Sequence, residues 1–172
     1  GDDPNLQLLR DDELKAIVET AHSLGMKVAS HAHGKPGIDA AIRAGVDSIE
    51  HGTYSDAATY KLMKERGTYM VPTLFAASEI YEMAVKSPDK LPPTVAEKAI
   101  RVTPTMQHNA VNAWKAGVKI ALGTDQLGWR PHGQNAKELE YMVQAGIPAM
   151  EAILAGTRNA ADLLGHSADI GS

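Results

Sequence analysis

The sequence predicts an α/β fold with parallel strands of the barrel type, and three observations carry that prediction. Short hydrophobic runs end in metal-capable side chains: Lys27-Val-Ala-Ser-His31-Ala-His33-Gly34, Val46-Asp-Ser-Ile-Glu-His51-Gly52 and Val118-Lys-Ile-Ala-Leu-Gly-Thr-Asp125. Helix-period segments lie between these runs, which is the alternation that gives a parallel sheet with right-handed crossovers. A glycine closes each helix ahead of the next run, so the unit helix, glycine, strand recurs.

The first helix spans Asp11 to Leu24, with an acidic first turn, apolar Leu14, Ile17, Val18, Ala21 and Leu24 on one face, and Gly25 as the stop. It feeds a strand from Lys27 to His31. A second helix from Gly37 to Ala44 ends at Gly45 before the strand Asp47 to Glu50, and a third, Asp56 to Arg66 with Ser55 as N-cap, ends at Gly67 before the strand Thr68 to Val71. Prolines 72, 88, 92 and 93 break this rhythm around a short helical stretch, Ala76 to Val85, and read as an insertion or active-site loop. A long helix from Thr94 to Ala116, kinked or divided at Pro104, then hands over through Gly117 to a fourth strand, Lys119 to Leu122. Helices at 136–145, 149–155 and 158–164 complete the chain.

Composition narrows the function classes. The 172 residues are 44% hydrophobic, enough for one ordinary core, so a single domain is expected. A net charge of −4 with scattered Lys and Arg leaves no footprint for nucleic acid. No run reaches the ~18 apolar residues that span a bilayer, and Gly1-Asp-Asp-Pro4 is the reverse of a basic signal-peptide start. A soluble chain is expected, with cytoplasm and periplasm both open. Without cysteine there are no disulfides, thiolate zinc sites or cysteine nucleophiles.

The ligand chemistry follows from strand parity. Ala29, His31 and His33 alternate onto one face, and only residues at the C-terminal end of a strand reach a site above the sheet. Two imidazoles and a carboxylate, His31, His51 and Asp125, suit a hydrolytic zinc ion that keeps a position open for water. Each histidine taken alone also fits a hydrogen bond to a neighbouring carbonyl, and Asp125 also fits a helix cap. Glu50 has the opposite parity to His51 and is expected in an outward salt bridge. His33 and His132 lie on loops above the site and are candidates for contacting substrate oxygen.

The strings Ala-Ser-His31-Ala-His-Gly34, Ser48-Ile-Glu-His51-Gly-Thr53, Leu122-Gly-Thr-Asp125, His132-Gly-Gln-Asn135 and Thr157-Arg-Asn-Ala-Ala-Asp-Leu-Leu-Gly165 resemble the amidohydrolase superfamily. Within it they most resemble the imidazolonepropionase-like, Xaa-Pro dipeptidase-like and basic-residue carboxypeptidase branch. The resemblance implies an eight-stranded (β/α) barrel with one or two divalent metals, zinc by expectation. His31 matches that family's strand-five histidine, His51 its strand-six histidine and Asp125 its strand-eight aspartate. The family's first-strand His-X-His pair and fourth-strand lysine have no counterpart before residue 27, and no terminal β-sandwich follows.

The expected architecture is therefore a partial TIM-type barrel over residues 1–172, four parallel strands corresponding to strands five to eight. The implied activity is hydrolysis of a peptide-like or cyclic amide C-N bond, with Asp125 as general base and a dipeptide or other small molecule as substrate. The alternative is a non-catalytic fragment or assembly module that needs a complementary half, associating through its exposed sheet edges.

Overall fold

The computed structural model describes residues 6–126 and 133–172. In chain order the elements are α1 (Asp11–Ser23), β1 (Ala29–Ala32), α2 (Lys35–Ala44), β2 (Ser48–His51), α3 (Ala57–Arg66), β3 (Tyr69–Val71), α4 (Leu74–Lys86), a 3₁₀ turn (Pro88–Lys90), α5 (Pro93–Lys115), α6 (Lys137–Ala145), α7 (Ala149–Gly156) and α8 (Arg158–Leu164). The three strands lie parallel in the order β1-β2-β3. The register aligns Ala29, Ser48 and Tyr69 in one row and His31, Glu50 and Val71 in another. Both rows share one face of the sheet.

The opposite face carries the core. Ile49 and Met70 are fully buried and pack with Ile38 and Ile42 of α2, Met63 of α3 and Met106 and Ala110 of α5. On the other face Tyr69, Val71 and Ala121 form a smaller cluster against Leu163. Toward β1 that face opens to solvent, since Ala29 and His31 are exposed. The apolar stripe expected on α1 is only partly covered: Leu14 and Val18 are buried, but Ile17 is 48% and Leu24 69% exposed.

The fourth strand expected at residues 119–122 is reduced to a single parallel bridge, Met70 to Ile120. Met70 N–H donates to the Lys119 carbonyl and Ala121 N–H to the Met70 carbonyl, each at 2.9 Å. The next rung of a parallel ladder would need an N–H from residue 72, which is proline and has none. The outer edge of the segment is closed by helices: the Asn159 side-chain amide donates to the Ile120 carbonyl at 2.9 Å, and Leu122 N–H donates to the Ala155 carbonyl at 3.0 Å.

One expectation is extended and two are corrected. The helix expected at Ala76 to Val85 is present and longer, since α4 begins at Leu74 and runs unbroken to Lys86, packing along α5. The long helix is not divided, because α5 is continuous through Pro104. The N-cap of α3 is Asp56, whose carboxylate accepts the Thr59 N–H at 3.0 Å, while the Ser55 hydroxyl turns back to the Gly52 carbonyl at 2.9 Å.

Candidate metal centre

The site forms where β1, β2 and β3 end. His31 stands on the open face of β1, and His33 follows directly after that strand. His51 closes β2 with φ of 71°, a left-handed turn that brings its ring over from the helix-facing side. Gly52 continues the turn at φ 58°, where an added Cβ would lie 2.8 Å from Met70 Cε. The Gly52 carbonyl accepts a hydrogen bond from Asn109 of α5, whose own side-chain oxygen accepts from the buried Tyr60 hydroxyl. A polar network thus secures the turn from below.

Three imidazoles converge. His51 Nε2 lies 2.8 Å from His31 Nδ1, the His33 and His51 rings stack at 4.6 Å between centroids, and one ring nitrogen from each of the three lies within 4.8 Å of the others. The hydroxyl of Thr73 donates to the Pro72 carbonyl at 2.7 Å, so its oxygen accepts from His51 Nδ1–H at 2.6 Å. With the Thr73 proton committed to Pro72, that contact favours the Nδ1–H tautomer of His51, with Nε2 turned toward His31. His33 Nδ1 is held by the Thr53 hydroxyl at 2.7 Å.

Electrostatics favour the neutral form of two of the rings, His33 and His51. Burial, then the proximity of His31, lowers His51 to a pKa of about 4. Burial, then His51, His31 and Lys98, lowers His33 to about 4, with Asp125 acting against them. Neutral rings with a bare nitrogen are the form in which imidazole binds a metal. This donor set fits a divalent ion of the borderline class.

Asp125 lines the same cavity but is not one of the three groups within 4.8 Å. It reaches the site from the segment that follows the Ile120 bridge, with φ of 46°. Glu50, expected in an outward salt bridge, instead shares the His31 face, where its carboxylate accepts from the Ser48 hydroxyl at 2.7 Å. Its pKa is raised, by burial first and by Asp125 next. The reason is parity: His51, not Glu50, falls on the helix-facing side of β2, and its positive φ swings it back toward the site. His132 lies outside the described residues.

The cavity encloses about 380 Å³ between the strand ends and one face of α4 and α5. Ala76, Ile80, Val95, Val102 and Met106 make an apolar wall, with Lys98 the cation along it. Sequence reasoning placed a helix at Ala76 to Val85 without showing that its face lines the site, and it missed Thr53 and Thr73, which carry no motif of their own.

Backbone strain marks the same place. Among the described residues, the non-glycine positions with positive φ are His51, Thr73 and Asp125, and all three line this cavity. Each such position costs ~1–3 kcal/mol and persists only where its surroundings enforce it. Imidazoles gathered at the C-terminal ends of parallel strands beside an apolar cavity occupy the place where α/β barrels carry their functional sites.

Comparison with known proteins agrees with that placement. The sequence profile of the amidohydrolase family matches residues 7–172, and the chain belongs to that family. It is 39% identical over 175 residues to the ochratoxinase of Aspergillus niger, covering 98% of this chain and 34% of that protein. An uncharacterized protein of Mycobacterium tuberculosis is 34% identical over 169 residues, covering 92% of this chain and 42% of its own length. Among solved structures, a Xaa-Pro dipeptidase with methionine bound in its active site superposes with a TM-score of 0.88 at 45% identity, covering 95% of this chain and 40% of that one. Ochratoxinase superposes at 0.81 and 37% identity, covering 99% of this chain and 36% of its own. The chain thus spans well under half the length of these relatives.

Proposed function

We propose that this chain supplies the metal-binding and proton-transfer side of a metal-dependent hydrolase that cleaves a peptide-like or cyclic amide C-N bond. The observation that carries the reading is the set of three imidazoles facing one another at the strand ends, with Asp125 on the same cavity. His31 through Nδ1 and His51 through Nε2 would hold the ion, zinc being the proposed occupant, with His33 as a third donor or as a contact to substrate oxygen. A bound divalent ion would supply Lewis acidity toward the amide carbonyl and toward water.

The remaining work falls to side chains of this chain. Asp125 would take a proton from the attacking water and deliver it to the departing nitrogen. Thr73 and Thr53 hold the rings of His51 and His33 in orientation. The α4 and α5 wall would seat an apolar substituent next to the scissile bond, and Lys98 would attract a substrate carboxylate. The names of the relatives, a dipeptidase and an ochratoxinase, support an amide substrate. The test is metal analysis of purified protein together with hydrolysis of a panel of dipeptides and N-acyl amino acids. Bound zinc that a chelator removes along with turnover supports the reading; hydrolysis unaffected by chelation sinks it.

A second reading is favoured by one observation, the open edge of β1 with Ala29 and His31 exposed on a face that is buried farther along the sheet. There the chain acts as one part of an assembly and turns over substrate only with a complementary half-barrel. Activity recovered on adding the preceding half of a full-length relative, and absent without it, would select this reading.

A further inference from the structure

The first turn of α4 is held in an unusual way. Thr73 occupies its N-cap position but makes no capping bond, since it is turned to φ 53° and its hydroxyl is committed to His51 and to the Pro72 carbonyl. The first N–H groups of any helix have no partner within the helix. Here they find partners from elsewhere. Leu74 N–H donates to Glu138 Oε1 at 2.8 Å and Phe75 N–H to Glu138 Oε2 at 2.6 Å, while Ala76 N–H donates to the Thr124 carbonyl at 3.3 Å.

Glu138, in α6, is fully buried, and both its oxygens serve this one turn. That turn touches the candidate site at two points, His51 through the Thr73 hydroxyl and the residue before Asp125 through Ala76. We propose that Glu138 is a positioning residue, whose carboxylate locks the first turn of α4 and thereby fixes the tautomer of His51 and the placement of Asp125. A carboxylate is the group suited to this role, because it accepts from two adjacent N–H groups at once, whereas a carboxamide presents an N–H₂ donor to one of them. Burial raises the Glu138 pKa to about 7, against the two backbone bonds, so the arrangement is maintained at the expense of desolvation.

The inference rests on the metal-site reading only for its effect on metal affinity; the tautomer of His51 is independent of it. The test uses the whole chain with ¹⁵N-labelled histidine. In wild type, long-range proton–nitrogen correlation spectra are expected to show His51 as the Nδ1–H form. Glu138→Gln should mix its tautomers and weaken Co²⁺ binding, followed by visible absorption, by about 10- to 100-fold. Thr73→Val should reproduce both changes, and Thr73→Ser should restore the wild-type pattern. Met142→Ala, at a fully buried α6 position one turn on, lowers stability while leaving both Glu138 bonds to the α4 terminus in place and should leave His51 unchanged.

A His51 spectrum unaltered by Glu138→Gln, or altered as much by Met142→Ala, overturns the proposal. Should Glu138→Gln not fold, Glu138→Asp and Thr73→Val carry the same readout: a wild-type His51 pattern in both overturns it, and a mixed pattern in both supports it. Loss of the tautomer with no Co²⁺ binding even in wild type would sink the metal reading and leave the positioning role standing.

Discussion

At Asp125 the backbone and the side chain make separate demands, and one substitution divides them. Asparagine tolerates positive φ nearly as well as aspartate does, so Asp125→Asn leaves the turn at φ 46° undisturbed while removing the proton acceptor. In a full-length barrel containing this segment the expected loss is ~10²- to 10⁴-fold in turnover with an unchanged melting temperature. Unchanged turnover would remove Asp125 from the reaction. A second residue-scale test concerns His33. Thr53→Val deletes the hydroxyl that holds its Nδ1, and metal affinity is expected to fall ~10-fold while Thr53→Ser retains it, as read by chelator competition. The histidines were legible because strand parity and strand ends depend only on local spacing. Thr73 and Glu138 were not, because their partners lie 22 and 64 residues away along the chain and nothing in the local pattern encodes such pairs.

Among the elements, helices were the easier to read, since glycine stops and apolar spacing act within one turn or two. The fourth strand failed for a reason that is itself local, the missing N–H of Pro72, but whose effect appears only when the register with residues 119–122 is known. The contact that remains is tight: a Cβ on Gly123 would lie 2.5 Å from Val71 Cγ1. Gly123→Ala is therefore expected to destabilise the chain by ~1–3 kcal/mol and to push Asp125 away from the imidazoles, seen as a lower urea midpoint together with weaker metal binding.

The α6 carboxylate and the imidazole cluster also oppose each other in pH. His33 and His51 titrate at about 4 when folded against an ordinary value of 6.5, so the unfolded chain binds more protons between those values. Their contribution is complete above 6.5 and is lost as pH falls toward 4. Glu138, at about 7 against 4.5, contributes below 4.5 and loses that contribution as pH rises through 7. In metal-free protein Glu138→Gln should therefore make stability rise more steeply with pH across the shared interval. Urea titrations at several pH values would check this, and an unchanged slope would count against the raised carboxyl.

For the molecule as a whole, one edge decides behaviour in solution. Among the described residues β1 pairs only with β2, and Ala29 and His31 face outward, while Ile17, Leu24 and Met26 expose apolar surface elsewhere on the N-terminal part of the chain. Unpaired strand edges template association. Sedimentation should show concentration-dependent self-association, and Ala29→Lys should suppress it without lowering the melting temperature; a strictly monomeric wild type would refute the expectation. Among the described residues no helix is long and apolar enough to cross a membrane. What pairs with this edge could not be read from strand patterns, because each strand's own sequence is the same whether or not a neighbour is present.

The positive φ shared by His51, Thr73 and Asp125 also shapes what selection for thermostability would do to this chain. Glycine relaxes all three turns, so random libraries screened on heat resistance alone should enrich it at these positions. Every such gain deletes an imidazole, the hydroxyl that orients it or the carboxylate beside it. Hardened descendants would thus lose chemistry first, and a screen meant to improve the catalyst must score turnover in every round.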